Sequence, residues 1–341
     1  MAMITDTAQR SNRTNDGFIC HANGTLENGL KTATANNSTK SINNKEYDVI
    51  IVGAGFAGLI AACELSSRGR QVLLVEARDR IGGRTFTAQV DNQQFELGGA
   101  WIRWRQPHIW TEVTRYGLSL AESEGGVPDY ISVLLDNGSR IKTVALSDLH
   151  PKLSEILDKF SDIDGFQGKT IFPLPHAPLT ALEAIEAYDH LTMYDRLHQI
   201  SSLFEGDEEM PSIIDAYMSV NSQGDTAKSG FLDYLGFCAL GDNDTLLIWD
   251  KGARYKIREG TNALAQAILD DCQNMDLLLA TPVSTIYRTD DNCVTVKAIN
   301  GRMFTVRAAI ITVPLNALND LEFQPALESK KVNAVVGISF G

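Results

Sequence analysis

Three glycines, Gly53, Gly55 and Gly58, stand between an apolar run and a helical pattern in the stretch Val49–Thr85, VIIVGAGFAGLIAACELSSRGRQVLLVEARDRIGGRT. A pyrophosphate needs this G-x-G-x-x-G spacing: the first glycine makes a tight turn, the second admits the phosphates to the backbone, and the third packs helix on strand. Ala57 keeps the helix start slim, and the N–H groups of a first helical turn have no partner inside the helix and point at phosphate. Glu76 ends a second apolar run, Gln71–Val75, about 20 residues on, where an acid hydrogen-bonds a ribose hydroxyl. A glycine turn in some other α/β fold is the plain alternative, but it does not call for strand, turn, helix, second strand and acid in this order.

The continuation Glu76-Ala77-Arg78-Asp79-Arg80-Ile81-Gly82-Gly83-Arg84 separates FAD from a nicotinamide cofactor. Adjacent glycines bring the backbone close to a ligand, and Arg84 offers a fork of donors to pyrophosphate. Arg78 and Arg80 read equally as surface charges; of the two, Arg78 is the one expected against adenine. A second glycine pair lies in Leu97-Gly98-Gly99-Ala100-Trp101-Ile102. An NAD dehydrogenase, the distant alternative, leaves both pairs without a role.

These residues resemble the N-terminal part of the flavin-dependent amine oxidases, a family that includes polyamine oxidases and related demethylases. Trp101-Ile102-Arg103-Trp104-Arg105-Gln106, His108-Ile109-Trp110, Thr114-Arg115-Tyr116, Phe172-Pro173-Leu174-Pro175-His176 and Tyr188-Asp189 are similar to fungal monoamine oxidases of the N type. The likeness covers most of residues 47–335. It implies an α/β (α+β) two-domain flavoprotein, with a Rossmann-like FAD/NAD(P)-binding domain interleaved with a substrate domain. By that resemblance residues 47–118 and 249–314 bind FAD, 119–248 form the substrate domain, and 315–341 begin its return. The cofactor-binding residues it implies are Gly53, Gly55, Ala57, Gly58, Glu76, Ala77, Arg78, Gly83, Arg84, Gly99, Ala100, Trp101 and Val283, the last through its backbone against adenine. Trp101 and Trp104 line the active-site approach or simply pack. The family's aromatic pair, its lysine near the flavin and any flavin-linking cysteine have no counterpart here. No catalytic residue is therefore assigned, and a chain lacking the C-terminal part is expected.

The implied activity is oxidation of a primary or other small amine to an imine, then an aldehyde or ketone plus ammonia, with O2 reduced to H2O2. The alternatives are a tailoring oxidase of another C–N or C–C bond, and a truncated, non-catalytic flavin-binding remnant that pairs with a full-length relative or another copy of itself.

The elements that must position these residues follow from composition and pattern. A chain of 341 residues, 44% of them hydrophobic, can bury a substantial core in two domains or one elaborated one, and a net charge of −13 disfavours nucleic acid and anionic membrane as partners. Five scattered cysteines, never in a CxxC, suit a reducing, intracellular, cytoplasmic setting; the C-terminus carries no peroxisomal signal. Residues 1–46, rich in Asn, Thr, Ser and Gly without apolar periodicity, read as a disordered, solvated tail. From about Leu118 to Ile248 the pattern is mostly helical, with apolar residues at three-to-four spacing in Leu149–Phe160, Ala181–Tyr188 and Tyr194–Leu203, and a helix from Pro211 after a solvated acidic turn. After Gly260 comes an amphipathic helix, then a strand at Leu277–Leu279. A hairpin of Val294–Ala298 and Phe304–Val306 turns at Asn300-Gly301, and Ala308–Val313 is a buried strand.

Two decoys fail. Gly168-Lys169-Thr170 ends like a P-loop, but Ile163 replaces its first glycine, and Gly337-Ile338-Ser339-Phe340-Gly341 spells a nucleophile elbow with no helix after it. His176, His190 and His198 form no metal pattern.

Overall fold

The computed structural model describes residues 12–39, 42, 45–123, 129–135, 138–222, 224–245, 248, 252–289 and 292–336. Among them, unit 1 comprises 12–100, 111–120 and 257–336, and unit 2 comprises 101–110 and 121–256. The Ser339 elbow motif lies outside the described residues.

The first stretch opens with a hairpin of β1 (Phe18–Cys20) and β2 (Leu26–Asn28). Then come β3 (Val49–Val52), α1 (Phe56–Ser67), β4 (Val72–Val75), and a hairpin of β5 (Thr87–Val90) and β6 (Gln93–Glu96) that turns at Asp91 and Asn92. β7 (Trp101–Ile102), α2 (Pro107–Arg115) and β8 (Leu120–Glu122) follow. The middle holds a hairpin of β9 (Tyr130–Leu135) and β10 (Arg140–Ala145). After it come α3 (Leu146–Ser161), α4 (Leu182–Tyr188), α5 (Met193–Gln199), α6 (Met210–Ser222) and α7 (Phe231–Leu240), and later β11 (Tyr255–Ile257). The last stretch contains α8 (Thr261–Asp271), β12 (Met275–Leu278), β13 (Val283–Arg288), β14 (Val294–Ala298), β15 (Met303–Val306), β16 (Ala308–Ile311), β17 (Glu322–Gln324) and α9 (Ser329–Val336).

Unit 1 is built on a parallel sheet of order β12-β4-β3-β16, with Val49 in register with Val72 and Ala308, and Val72 with Met275. The sequences VIIV and VLLV suit its two central strands because a parallel strand buried on both faces wants apolar side chains throughout. Ile50 and Leu73 are fully buried, each stabilising the fold by roughly 1.5–3 kcal/mol. A second sheet, β15-β14-β13-β17, shares their core through Ile286, Val296 and Val306. Helix α1 packs on α8. The parallel β-α-β arrangement is that of the α/β class.

Unit 2 gathers Leu149, Leu153, Ile156, Leu157 and Phe160 of α3 against α5, α6 and α7, with Phe160 edge-on to Phe231 and Tyr234 at ring distances of 5.3 and 5.1 Å. Local signals set its helix ends. Thr192 and Asp195 form a reciprocal capping box at α5, and Asp207 accepts from the N–H groups of Glu209 and Met210 at the start of α6. Arg196 donates to the carbonyls of Phe160 and Lys159, at 3.0 and 2.6 Å, closing the C-terminus of α3.

Three expectations are corrected. Residues 12–39 are not a solvated tail: Leu30, Thr32, Thr34 and Ala35 are buried, and the segment is bonded to the rest of unit 1 through Gln89 N–H to Lys31 O and Thr39 N–H to Leu277 O. Backbone and hydroxyl groups supply these ties, so no apolar period announces them. The mostly helical middle contains the antiparallel β9–β10 pair, whose YISVLL strand alternates in burial. The division between units falls at 120/121 and 256/257 rather than 118/119 and 248/249, and 315–336 lie in unit 1, where β17 runs parallel to β13. No described helix is long and apolar enough to cross a membrane.

Candidate cofactor site

Unit 1 assembles two glycine turns at the C-terminal ends of β3 and β4. Gly53 leaves β3 at φ +107°, a conformation other residues rarely adopt, and its N–H donates to Val75 O at 2.8 Å. A side chain at Gly58 would collide with the Gly53 carbonyl, so α1 can start this close to its strand only with glycine there. Gly55 caps α1 without a side-chain hydrogen bond, and the first turn carries no acid. The dipole end of a 12-residue helix thus presents backbone N–H groups to an anion.

Glu76 is buried, and its carboxylate fixes two chains at once. One oxygen accepts from Ala54 N–H at 2.7 Å, the other from Arg78 N–H at 2.9 Å. Both oxygens keep lone-pair capacity for ribose hydroxyls. The second turn closes on the first: Gly82 N–H donates to Ala54 O at 2.9 Å, and a Cβ on Gly83 would sit 3.1 Å from the Gly55 Cα. Gly99 N–H donates to Arg84 O at 3.1 Å, tying the third glycine segment to the second. Ala280 N–H donates to Arg78 O and Thr281 N–H to Glu76 O, which brings the chain entering β13 at Val283 beside the acid. Gly53, Gly55, Ala57, Gly58, Glu76, Arg78, Gly83, Arg84 and Gly99 are thereby brought to one end of the sheet. Ala77 is exposed next to Glu76, and Ala100 is buried after Gly99.

Trp101 lies in unit 2, where the Lys256 ammonium sits 3.8 Å from its ring centroid, and Trp104 stacks on Trp110 at 5.6 Å with Tyr255 edge-on to both. The P-loop decoy is occupied by its own acid. The Asp164 carboxylate accepts from Phe166, Gly168 and Thr170 N–H and from the Thr170 hydroxyl. Those donors outweigh the upward push of burial and hold Asp164 below the usual carboxylate range. Among the described residues no His, Cys, Asp and Glu group could hold a metal ion.

Arg80 is the residue that the sequence left among surface charges. It is 3% exposed, its guanidinium lies 4.2 Å from the centroid of Phe86, Nη1 donates to the carbonyls of Gly83 and Thr85 at 3.1 Å each, and Nε donates to Asp16 at 2.7 Å. It braces the Gly82-Gly83 turn from behind. The burial of this charge depends on a partner 64 residues away, which no local pattern reveals.

The residues present fit a dinucleotide: an uncapped helix start, a second turn whose Cβ-free glycines leave the backbone approachable, and a buried acid with spare acceptor capacity. Comparison with known proteins shows the family. Residues 56–341 match the family described as flavin containing amine oxidoreductase. A pseudooxynicotine dehydrogenase of a Pseudomonas species is 31% identical over 84% of this chain and 56% of its own length. A nicotine dehydrogenase of Pseudomonas putida is 30% identical over 90% of the chain and 61% of its own. The structure of cyclohexylamine oxidase from Brevibacterium oxydans matches with a TM-score of 0.65 at 24% identity, over 86% of this chain and 63% of that one, and carries the fold alone. The chain thus spans less than two thirds of the length of these relatives. It belongs to the flavin containing amine oxidoreductases, amine-acting enzymes whose flavin, FAD, its two glycine turns fit.

Proposed function

We propose that unit 1 holds FAD and that the chain serves the oxidation of a small amine, with unit 2 belonging to the substrate side. The observation that carries this reading is the junction of the two turns: Glu76 bound to Ala54, and Gly82 bound to the same residue's carbonyl. In this reading the α1 N–H groups beyond Gly53 and Gly55, with Ala57 and Gly58 keeping the helix start close, receive the pyrophosphate. Glu76 takes the ribose, Ala77 and Arg78 border the adenine with the Val283 backbone, and Gly83 and Arg84 pass along the phosphates. Gly99 and Ala100 lead toward the flavin ring. The place of Trp101 beside the flavin rests on the family likeness.

Bound FAD supplies a two-electron acceptor for the carbon next to the amine nitrogen; the protein binds, orients and excludes water. The resulting imine hydrolyses to an aldehyde or ketone plus ammonia. Oxygen is the acceptor proposed for the electrons, giving H2O2. Because two relatives are named dehydrogenases, donor and acceptor are tested separately. No described residue is assigned a catalytic role.

Titration of the purified chain with FAD, followed by quenching of flavin fluorescence, tests the binding claim, and an anaerobic panel of amines followed by loss of flavin absorbance tests the chemistry. Peroxide release on admitting air identifies the acceptor. Saturable FAD binding with amine-dependent bleaching is expected. Binding of NAD in preference to FAD overturns the cofactor assignment, and FAD binding without bleaching by any amine favours the non-catalytic alternative. Sedimentation of the FAD-bound chain, alone and mixed with a longer relative, checks the proposed self-association or pairing.

A further inference from the structure

We infer that the N-terminal segment 12–39 is a positioning strap for the cofactor turn, with Asp16 as its principal residue. This rests on the reading that residues 82–84 pass along the phosphates of FAD.

The strap grips the four consecutive residues Arg78 to Ile81 that lead into that turn. The Thr14 hydroxyl and Asn15 N–H donate to the Asp79 carboxylate at 2.5 and 2.7 Å. Asp16 accepts from Arg80 Nε at 2.7 Å, and Arg78 Nη1 lies 3.8 Å from the same carboxylate oxygen. Ile81 N–H donates to Thr34 O at 3.1 Å. A further tie runs through α8: Asn262 bridges the Thr34 and Thr85 hydroxyls at 2.7 and 2.9 Å, and an exchange of its amide oxygen and nitrogen keeps both partners.

These contacts act on the turn through Arg80. Its guanidinium spends two hydrogen bonds on the carbonyls of Gly83 and Thr85, and those carbonyls fix the peptide planes of the turn that meets Gly55. A cation this buried needs a counter-charge as well as acceptors. Asp16 supplies it from a segment that precedes the parallel sheet and its helices, so the strap determines whether Arg80 stays behind the turn or swings to solvent. Asp16 acts through Arg80 and, at 3.8 Å, through Arg78, which borders the adenine in this reading; it is a positioning residue.

Beyond the strap and away from the turn, the Lys45 ammonium reaches both carboxylate oxygens of Asp276 on β12 at 3.0 and 2.8 Å. That contact provides the control. The full chain carrying Asp16→Ala, Asp16→Glu or Lys45→Met is titrated with FAD by fluorescence quenching, and amide hydrogen exchange is followed in the absence of FAD. Gly82 N–H, bonded to Ala54 O, and Thr85 N–H, bonded to Gly82 O, report on the turn directly.

Asp16→Ala is expected to raise the Kd for FAD about tenfold or more and to speed exchange at Gly82 and Thr85 by a similar factor, while amides of Val72–Val75 keep wild-type protection. Asp16→Glu is expected to restore both within about threefold, and Lys45→Met to leave both unchanged. Wild-type exchange at Gly82 and Thr85 in Asp16→Ala overturns the inference whether or not flavin binds. So does a loss of FAD affinity equal to that of Lys45→Met. If the turn loosens while the wild-type chain binds no FAD, the cofactor reading fails and the strap's hold on the turn stands.

Discussion

The two inner glycines of the first turn are predicted to fail in opposite ways when each is replaced by alanine. At Gly55 the backbone is extended, with φ −75° and ψ 179°, and a Cβ would meet nothing nearer than the Gly83 Cα at 3.8 Å. Two small effects bear on stability. Restricting the unfolded chain contributes about 0.4–1 kcal/mol, and placing alanine where glycine is the better N-cap costs about the same. They offset, so apo Gly55→Ala should unfold within about 2 °C of wild type. The methyl group, however, projects between the two glycine turns. If it keeps phosphate off even one α1 N–H, a charge-assisted hydrogen bond of roughly 1.5–3 kcal/mol is lost, which is about ten- to a hundredfold in Kd. At Gly58 the order reverses. The new Cβ would fall inside the shell of the Gly53 carbonyl oxygen, 3.0 Å from its carbon and 2.9 Å from the Thr312 hydroxyl. Backbone cannot fold away as a side chain can, so α1 must move off β3, at about 1–3 kcal/mol or more. Thermal unfolding of both apo variants by circular dichroism, with FAD titrations at 20 °C or below, separates the cases. A Gly55→Ala chain that binds FAD as tightly as wild type would refute the pyrophosphate assignment; a Gly58→Ala chain as stable as wild type would refute the packing argument.

Glu76→Gln should cost about 1–3 kcal/mol and weaken FAD binding, because the amide end of Gln must face the N–H of Ala54 or Arg78 and leave a buried donor unpaired; urea unfolding with unchanged stability would count against it. The Asp164 carboxyl is held below its ordinary value, so its contribution is present above about pH 4 and is lost as pH falls through the folded-state value. The difference in Tm between wild type and Asp164→Asn should therefore narrow below pH 4, and a gap independent of pH would contradict the hydrogen-bond account. Burial pushes the Cys238 thiol up to about 12, beside Tyr234 and Ser161, whereas Cys20 is exposed. At pH 8 a thiol reagent should label Cys20 in the native chain and reach Cys238 only on unfolding; Cys20→Ser should remove the fast phase.

The first turn was legible because its chemistry and geometry are local: strand, glycine spacing, helix and acid sit within 28 residues, and the structure joins Glu76 to Ala54 directly. The β14–β15 hairpin was legible for the same reason, through Asn300-Gly301 between alternating runs. What stayed hidden depends on partners distant in sequence. Arg80 looks like any charge on a loop until Asp16 arrives to neutralise it. The segment carrying Asp16 looks like a linker because threonine hydroxyls and peptide groups attach it rather than a hydrophobic stripe. The β9–β10 hairpin was the exception, since Asn137-Gly138 flanked by YISVLL and RIKTVA was present to be read and was overridden by the helical pattern around it.

The strap and the cofactor are bound by a reciprocity that follows from having both act on one turn. If docking residues 12–39 favours the arrangement of Gly82–Arg84 that receives phosphate, FAD must favour docking of the strap by the same factor. A tenfold loss of affinity on undocking is about 1.4 kcal/mol, the amount by which flavin in turn should tighten the strap. The strap has little apolar area of its own to spend, with Leu30 and Ala35 as its principal buried hydrophobic side chains, so a term of that size is a substantial share of what keeps it down. The asparagine- and threonine-rich segment is then best understood as a conditional part of the fold. It is held by polar ties to the rest of unit 1, and drawn tighter once the turn it braces is filled.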